Sequence, residues 1–331
     1  MKAVVQDRYG SADTLELREV DRPEPGAGEV LVRVHAASVN AYDWHYLHGD
    51  PRIARLSLGM RSPKVRIRGR DFAGRVTAVG PGVAGLHPGD EVYGEADGTF
   101  AEFVCAKDSE TDLKPAGLSF EQAAAMPLAA NTALIGLRDV AGLRAGQSVL
   151  VNGASGGVGG FAVQLAKAYG AEVTGVCGAR NVELVGSLGA DDVVDYTRED
   201  FTRAGRRYDV VLDLVGNRSL ADLRRATAPS GTVVLSGGGV FEGGSLLGPV
   251  RLIVRGRLLS PFVRQRVLPL TAKASKANLA VLRELVDAGT IAPAVERMYP
   301  LSEAAEAIRH LEVEHARAKI VITVSGREGP P

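Results

Sequence analysis

Residues 152–160, which read NGASGGVGG, have the composition and spacing of a loop that binds phosphate through its backbone. In the register Ala154-x-Gly156-x-x-Gly159, a small first residue suits a tight turn and Gly156 lets the backbone approach a pyrophosphate. Gly159 lets the following helix pack closely on the preceding strand. Free N–H groups and the helix dipole then face the anion. The segment predicts a dinucleotide site; the alternative is a strand-to-helix turn without a ligand.

The end of the next strand indicates which dinucleotide binds. An acidic residue that holds the ribose is expected about 20 residues after the loop, yet residues 176–181 read VCGARN. Arg180 is in place to pair with a 2′-phosphate, which an acid would repel, and Asn181 lies beside it. We therefore expect NADPH, unless Arg180 is an ordinary solvated surface residue.

A second group of chemically capable residues lies in residues 38–49, SVNAYDWHYLHG. His45 and His48 have H-x-x-H spacing, with Asp43 and Asp50 nearby, but zinc needs further ligands that the fold must supply. We expect His45 to line a cleft and His48 to lie at the surface, with no metal bound.

The pattern of the chain changes twice around these segments. From Met1 to about Lys114, short alternating runs separated by glycine and proline predict strands. Near Ser119 a capping box with Gln122 opens an alanine-rich helix over residues 119–137. From Gln147, apolar strands alternate with amphipathic helices, which predicts a doubly wound parallel sheet. After about Leu270, two helices and a last strand could pack back on the first domain.

The overall composition excludes several classes of protein. A chain of 331 residues with 45% apolar and 24% charged residues suggests two globular domains. Zero net charge gives no general attraction to nucleic acid or membranes. The N-terminus has no signal-peptide pattern, no long apolar run predicts membrane insertion, and two cysteines cannot form a disulfide framework. We expect a cytoplasmic protein.

One segment has an unusual charge pattern. Residues 243–283 contain no acidic residue, and eight arginines and lysines alternate there with apolar side chains. Three interpretations stay open: a solvated helix face, a mobile cover over the substrate mouth, and a transient contact with a membrane surface.

Several motifs in a fixed order resemble the medium-chain dehydrogenase/reductase superfamily, and within it the zinc-independent quinone oxidoreductase branch. The resemblance covers essentially the whole chain and depends on ASVNAYDWH (37–45), RDFAGRVTAVGPGV (70–83), GDEVYG (89–94), LKPAGLSFEQAAAMPLAANTAL (113–134), VLVNGASGGVG (149–159), GADDVVDY (189–196), YPLSEAAEAIRHLE (299–312) and HARAKIVI (315–322).

The resemblance implies an α/β architecture in which a doubly wound Rossmann cofactor domain is inserted into a GroES-like β-rich catalytic domain. The expected boundaries are 1–122 for the first part of the catalytic domain, 123–266 for the cofactor domain and 267–331 for the return. The active site would lie between the two domains, and a homodimer is common in the family.

The resemblance also bears on zinc. Zinc-dependent relatives place a cysteine where this chain has Asn40 and a histidine where it has Arg70. An amide is a poor zinc ligand and a guanidinium cannot be one. Two cysteines also cannot form the family's four-cysteine structural lobe. We expect hydride transfer without a metal.

The site residues follow from the same comparison. Asn40 and Asp43 match the family's cleft floor, where Asn40 could hydrogen-bond the substrate or the nicotinamide ribose. His45 falls where relatives often carry a tyrosine, so the proton donor could be His45, Tyr42 or Tyr46, and each could instead be structural. The expected cofactor contacts are Thr132, Ala154, Ser155, Gly156, Gly157, Val158, Gly159, Gly178, Arg180, Asn181, Tyr196, Gly216, Asn217, Gly237 and Lys319. Asn217 could alternatively be a helix N-cap.

Together these features predict an NADPH-dependent, zinc-independent reductase of small quinones or α,β-unsaturated carbonyls. Hydride addition to a conjugated system needs less help than carbonyl reduction, because charge develops on a distal oxygen that a hydrogen-bond donor can stabilise. The alternatives are an alcohol dehydrogenase or enoyl reductase on the same scaffold, and a non-catalytic NADPH-binding sensor or interaction protein.

Overall fold

The computed structural model describes residues 1–236, 248, 250–259, 263–314 and 317–324. The chain divides into two compact units. Residues 1–131 form the first unit together with the described residues from 274 onward, and the described residues between 132 and 273 form the second unit.

The first part of the chain is rich in strands. Its elements are β1 (Lys2–Gln6), β2 (Leu15–Glu19), β3 (Glu29–Val39), α1 (Ala41–His48), α2 (Arg55–Leu58), β4 (Asp71–Val79), β5 (Glu91–Glu95), β6 (Phe103–Lys107), β7 (Thr111–Leu113), α3 (Phe120–Ala124) and α4 (Pro127–Leu134).

The remaining elements alternate between strands and helices. They are β8 (Ser148–Asn152), α5 (Gly157–Ala168), β9 (Glu172–Cys177), α6 (Val182–Ser187), β10 (Asp192–Asp195), β11 (Tyr208–Asp213), α7 (Leu220–Arg225), β12 (Thr227–Leu235), α8 (Val250–Leu259), β13 (Arg266–Pro269), α9 (Lys276–Asp287), β14 (Val295–Pro300), α10 (Ala304–Glu314) and β15 (Lys319–Thr323).

The first unit is built on a seven-stranded sheet of the described residues, in the order β14-β15-β3-β4-β5-β7 with β6 paired to β3. The last strand, β15, runs antiparallel to β3 and pairs Ile320 with Val39. The C-terminal segment therefore packs on the sheet of the first unit. The pairing also sets Lys319 beside the residue that follows β3, Asn40.

The second unit contains a six-stranded parallel sheet of the described residues, in the order β10-β9-β8-β11-β12-β13. The chain moves outward from β8 through β9 to β10 and then crosses back to β11. Strand order therefore reverses beside β8, where ligands bind in open α/β sheets. The doubly wound prediction is confirmed, and the loop of residues 152–160 follows the strand at this reversal.

The alanine-rich helix predicted from Ser119 is interrupted. The capping box is present, because Gln122 N donates to Ser119 Oγ at 3.2 Å and Gln122 Oε1 accepts from Ser119 N at 3.0 Å. However, α3 ends at Ala124 and α4 starts at Pro127. Proline lacks an N–H and disfavours a helical residue before it, so the single predicted helix becomes two.

The basic segment of residues 243–283 is only partly described. Helix α8 packs Leu252 and Ile253 against the core of the second unit, while Val254 and Leu258 are exposed. Residues 243–247, 249 and 260–262 lie outside the described residues. Among the described helices, none has the length and apolar character needed to cross a membrane.

Candidate functional site

The glycine loop makes a tight turn between β8 and α5. Gly153 adopts φ +94°, in the left-handed region, and Gly156 N donates to Gly153 O at 3.2 Å. Gly156 is the N-cap of α5 and has no side chain to satisfy the free N–H groups of the first turn. These groups are therefore available to an anion, as the sequence predicts.

The two later glycines of the fingerprint have different reasons to be glycine. A Cβ at Gly159 would lie 2.0 Å from Gly153 O and 2.8 Å from Ala154 Cα, so the protein itself forbids a side chain there. A Cβ at Gly156 would meet only Gly153 O at 3.5 Å, an ordinary contact. Packing explains Gly159, whereas space at Gly156 is free for a ligand that approaches the backbone.

The alanine in the first position of the fingerprint is accommodated by the next strand. Ala154 is fully buried. A Cβ at Gly175 in β9 would lie 3.0 Å from the Ala154 methyl and 2.4 Å from Val185 Cγ1. Gly175 thus provides the volume that Ala154 fills. This long-range compensation was not part of the sequence prediction.

The end of β9 carries the residues expected near the adenosine phosphate. Asn181 is buried, and its Nδ2 donates to Ser155 Oγ at 3.1 Å, which ties this segment to the glycine loop. Its Oδ1 is buried without a hydrogen-bond partner among the described residues. Arg180 is exposed. A Cβ at Gly178 would lie 3.2 Å from Tyr196 Oη, so Gly178 and the half-exposed Tyr196 are neighbours.

The ends of β8 and β11 form a polar floor beneath the loop. Asn152 Nδ2 donates to Asp213 Oδ1 at 2.8 Å and to Asn217 Oδ1 at 3.1 Å. Gly216 N also donates to Asp213 Oδ1, at 3.1 Å, and burial raises the pKa of Asp213. The alternative role of Asn217 as a helix N-cap is wrong, because Ser219 caps α7 by accepting from Asp222 N.

The other expected cofactor contacts are placed as follows. Gly157 and Val158 form the first turn of α5. Thr132 is buried within α4. Gly237 lies outside the described residues. The second unit thus brings most of the expected cofactor residues together at the carboxyl ends of β8, β9 and β11.

In the first unit, Asn40 begins α1 and its side chain is engaged at both ends. Asn40 N donates to Asp43 Oδ2 at 2.8 Å, which closes the first turn of the helix. Asn40 Nδ2 donates to Asp71 Oδ2 at 2.9 Å, and Asn40 Oδ1 accepts from Lys319 Nζ at 2.5 Å. In this arrangement the amide joins three segments of the chain.

Asp71 and Lys319 are the charged centre of this network. Ser38 Oγ and Leu128 N also donate to the Asp71 carboxylate, at 2.8 and 2.9 Å. Lys319 Nζ has a second acceptor in Val39 O at 3.3 Å and lies 3.5 Å from Asp71 Oδ2. Burial lowers the pKa of Lys319. Lys319, expected as a cofactor contact, is thus placed with Asn40 and Asp71.

Two buried carboxyls near this centre have altered acidity. Burial raises the pKa of Asp43 to about 7, an effect strengthened by the charge of Asp71. Burial and Asp71 likewise raise the pKa of Glu95 to about 7, although Arg70 Nε donates to Glu95 Oε2 at 3.2 Å. Perturbed carboxyls of this kind cluster at functional sites and also occur in structural networks.

Arg70 is held by carboxylates from three places in the first unit. Besides Glu95, its guanidinium pairs with Asp97 at 3.0 Å and with Glu110 at 3.6 Å. Its charge is therefore compensated by neighbouring carboxylates within the unit.

An aromatic and cationic cluster lies along α1. The rings of Tyr42 and Tyr46 are 4.4 Å apart. The buried guanidinium of Arg68 lies 5.4 Å from the Tyr46 ring centre, and that of Arg70 lies 6.0 Å from the Tyr42 ring centre. Burial raises the pKa of Tyr42.

The two histidines of α1 each contact a backbone carbonyl. His45 Nδ1 lies 3.1 Å from Asp50 O, and His48 Nδ1 lies 3.1 Å from Trp44 O. His45 is half-buried, as is His48, which stacks on Trp44. Within the described ranges no group of three His, Cys, Asp or Glu side chains is arranged to hold a metal ion.

Sequence reasoning missed several members of both clusters. Arg68 lies in a run of cations and carried no recognisable signal, whereas Glu95 ends β5 directly after the motif of residues 89–94. Asp71 and Asn152 belong to motifs that we quoted for the resemblance, without a role assigned to them. The available signal was a polar residue at the end of a predicted strand, next to a motif residue. Asp71 is the first residue of β4 and Asn152 is the last residue of β8.

Two family models match this chain. One, described as the alcohol dehydrogenase GroES-like domain, matches residues 26–120. The other, described as a zinc-binding dehydrogenase, matches residues 188–322.

Three similar proteins illustrate the range of relatives. The mitochondrial NAD(P)H oxidoreductase RTN4IP1 of Mus musculus is 34% identical, over 98% of this chain and 89% of its own. The chloroplastic NADPH-dependent alkenal/one oxidoreductase of Arabidopsis thaliana is 33% identical, over 97% of this chain and 79% of its own. The solved quinone oxidoreductase of Coxiella burnetii superposes with a TM-score of 0.84 at 31% identity, covering 98% of this chain and 99% of its own.

One family is described as zinc-binding, so we asked whether the residues of this chain could bind a catalytic zinc ion. The two positions that hold zinc ligands in zinc-dependent relatives are Asn40 and Arg70 here. The Asn40 amide is hydrogen-bonded to Asp71 and Lys319, and the Arg70 guanidinium is a cation paired with carboxylates. These residues do not fit a catalytic zinc ion.

Proposed function

Because the chain belongs to the medium-chain dehydrogenase/reductase superfamily, in its quinone-oxidoreductase-like branch, we propose that it reduces small quinones or α,β-unsaturated carbonyls with NADPH and without a metal. That the chain is an oxidoreductase of this superfamily, with a nicotinamide cofactor, follows from the relatives. NADPH as the preferred donor, the substrate class and the absence of zinc are our proposals.

One observation carries the proposal. The positions of the zinc ligands are occupied by Asn40 and Arg70, and both side chains are engaged within the first unit. Without a Lewis acid, a simple alcohol or ketone is a demanding substrate, whereas a conjugated acceptor spreads the developing charge to an oxygen that a hydrogen bond can stabilise.

In this proposal the second unit would supply the cofactor residues. Bound NADPH would supply a hydride from its nicotinamide. The free N–H groups after Gly156 would hold the pyrophosphate, with Ser155 oriented by Asn181. Arg180 would pair with the 2′-phosphate beside Gly178 and Tyr196, where no carboxylate follows β9.

In the first unit we assign different roles to the residues of α1. Asn40 and Asp43 act as positioning residues, because they fix the start of α1 through Lys319 and Asp71. We assign the proton donor to Tyr46, a half-buried hydroxyl-bearing residue of α1 whose ring lies 5.4 Å from the Arg68 guanidinium.

The activity is tested by following NADPH oxidation with a panel of small quinones, alkenals and simple ketones, with and without a chelator. We expect turnover of quinones or enones, none of simple ketones, and no effect of the chelator. Chelator-sensitive ketone or alcohol turnover would support a zinc alcohol dehydrogenase. Tight NADPH binding without turnover of any acceptor would instead support a sensor or interaction protein.

Cofactor preference is tested with Arg180→Ala. Loss of the guanidinium should raise KM for NADPH about tenfold or more and leave KM for NADH nearly unchanged, because only NADPH carries the 2′-phosphate. Arg198→Ala, at another exposed arginine of the same unit, is the matched control. Equal effects of Arg180→Ala on both cofactors would show that this side chain does not recognise the phosphate.

The proton donor is tested with Tyr46→Phe, Tyr42→Phe and His45→Gln. Removing the true donor should lower kcat by about a hundredfold with little change in KM, because general acid catalysis acts in the transition state. We expect this for Tyr46→Phe. A full-sized loss in Tyr42→Phe or His45→Gln, with Tyr46→Phe active, would move the assignment to that residue.

Assembly and location are further proposals. We propose a cytoplasmic homodimer, as the family commonly forms dimers; the two curated relatives described above are mitochondrial and chloroplastic by name. Light scattering after size-exclusion chromatography, and fractionation of cells that express the tagged full chain, test the two points separately.

A further inference from the structure

Residues 51–64 of the first unit, here called the basic-apolar loop, expose large apolar side chains to solvent. Ile53, Leu56 and Met60 are 40%, 69% and 67% exposed. They recur at intervals of three and four residues, so three of the exposed large hydrophobic residues of the chain fall within eight positions. A concentration of this kind marks an interaction surface more often than scattered exposed residues do.

Hydrogen bonds at Gly59 and Arg55 hold the loop to the rest of the first unit, and one between Lys64 and Leu58 closes the loop on itself. Tyr9 Oη donates to Gly59 O at 2.7 Å, and Lys64 N donates to Leu58 O at 2.8 Å. Arg55 Nε and Nη2 donate to Gly49 O and His48 O, both at 2.9 Å. The exposed side chains therefore project from an ordered platform.

The charges of this region are one-sided. Between Asp50 and Asp71 the chain has seven arginines and lysines and no acidic residue. Four of these cations are used within the unit: Arg55 as above, Arg66 with Asp7, and Arg68 and Arg70 in the cluster along α1. The other three, Arg52, Arg61 and Lys64, are exposed and form no ion pair with any described residue.

We propose that the basic-apolar loop is a docking surface for an anionic lipid bilayer. Exposed cations would meet lipid phosphates while the aliphatic side chains between them enter the boundary between headgroups and acyl chains. Charge and side-chain type together favour a lipid surface.

Docking itself does not depend on the proposed reaction. One consequence rests on that proposed function: the enzyme would be concentrated where lipophilic quinones partition. Binding to vesicles without cofactor or substrate therefore tests the surface, and turnover of a water-soluble quinone tests the reaction, so that failure of one is distinct from failure of the other.

The experiment is flotation of the full chain with vesicles of phosphatidylcholine alone and of phosphatidylcholine with phosphatidylglycerol. We expect binding to the anionic vesicles only, and weaker binding at high ionic strength because exposed charges are screened. The double variant Arg61→Gln/Lys64→Gln should lower the partition coefficient onto anionic vesicles by at least tenfold. Each cation near such a surface increases the affinity by about a few-fold. Leu56→Ser/Met60→Ser should cause a similar loss.

Matched controls separate the loop from general effects. Arg198→Gln/Arg207→Gln removes two exposed charges of the second unit, and Met298→Ser/Val313→Ser removes two exposed apolar side chains elsewhere in the first unit. Both should bind as the unmodified chain does. All variants should retain their melting temperature and their turnover of a water-soluble quinone, because the substituted side chains are exposed.

Several results would overturn the proposal. Binding that is equal for neutral and anionic vesicles, or equal for loop and control variants, would remove the loop from the interaction. Loss of binding in Val254→Ser/Leu258→Ser of α8, with the loop variants unaffected, would assign the contact to that helix. Capture by polyglutamate that depends only on Arg61 and Lys64, without vesicle binding, would point to an acidic protein partner.

Discussion

The glycine loop of the second unit and the polar network of the first unit build their sites in opposite ways. The loop offers backbone N–H groups, and its essential positions are defined by where a Cβ does not fit, as at Gly159. The network around Asp71 is made of side chains, and it buries opposite charges that need each other, as Lys319 and Asp71 do. A site built from backbone groups tolerates substitutions whose side chains do not clash with the backbone or the ligand. A buried charged network tolerates very few substitutions, because each one leaves a charge without its partner.

The largest expected effect is in the network. Asp71→Ala leaves the buried ammonium of Lys319 without its carboxylate, which should lower the free energy of unfolding by about 3–5 kcal/mol in urea denaturation. Glu16→Ala, at an exposed carboxylate of the same unit whose partner Arg18 is half-exposed, should cost less than about 1 kcal/mol. Adding Lys319→Met to Asp71→Ala should recover part of the loss, and strictly additive losses would contradict the coupling.

The next effect separates the two glycines of the loop. Gly159→Ala places a methyl group against Gly153 O and should destabilise the chain by about 1–3 kcal/mol while abolishing measurable NADPH binding. Gly156→Ala meets no protein atom closer than 3.5 Å, so it should weaken NADPH binding at least tenfold and leave the melting temperature nearly unchanged. Calorimetry and fluorescence titration measure both quantities.

A helix glycine provides the control for this pair. Gly186→Ala in α6 meets nothing within 4 Å and should stabilise the chain by about 0.5–1 kcal/mol without changing cofactor affinity. If Gly156→Ala bound NADPH as tightly as the unmodified chain, the open space there would not be a cofactor site.

The pH dependence of stability should distinguish the ionisable network from the loop. The pKa of Asp43 is raised from 3.8 to about 7, so the folded state holds a proton that the unfolded state loses at lower pH. The stabilisation contributed by the protonated Asp43 carboxyl is fully present below about pH 4. It is lost as the pH rises towards 7, because the proton then dissociates. Asp43→Asn should reduce that loss by about 3 kcal/mol between the two ends of the range.

This prediction is checked by urea unfolding at several pH values. Glu95, whose pKa is also raised to about 7, contributes a fall of the same sign, so some pH dependence should persist in Asp43→Asn. Lys319, with a lowered pKa, contributes with the opposite sign, because burial favours its neutral form in the folded state. An unchanged profile in Asp43→Asn would show that Asp43 is ionised in the folded protein at neutral pH.

The smallest effect tests how tolerant the loop is. Ala154→Gly restores the usual first glycine but removes a buried methyl group that fills the space beside Gly175. Stability should fall by about 1 kcal/mol, and the Kd for NADPH should stay within about twofold, because the N–H groups are unaffected. A large change in Kd would mean that the alanine tunes the cofactor site.

Much of the site in the second unit was predictable because it is local. The turn at residues 152–160, the helix after it and the strand before it lie within about 20 residues of one another, and their backbone geometry follows from nearby glycines. Two other features depend on how the strands pair and could not be predicted from a short stretch of sequence. One is the packing of the Ala154 methyl group into the space left by Gly175, and the other is the hydrogen bond from Asn181 to Ser155 across 26 positions.

The sequence by itself determined the two folding patterns, the glycine-rich turn between β8 and α5 and the lack of an acid after β9, since all of these are properties of short stretches. Only the tertiary structure decided what Asn40 and Lys319 do. They lie 279 positions apart, and the antiparallel register of β15 on β3 brings the ammonium to the amide and to Asp71. A pairing register is fixed by the packing of a whole sheet, so no local pattern could reveal that these residues form one buried network.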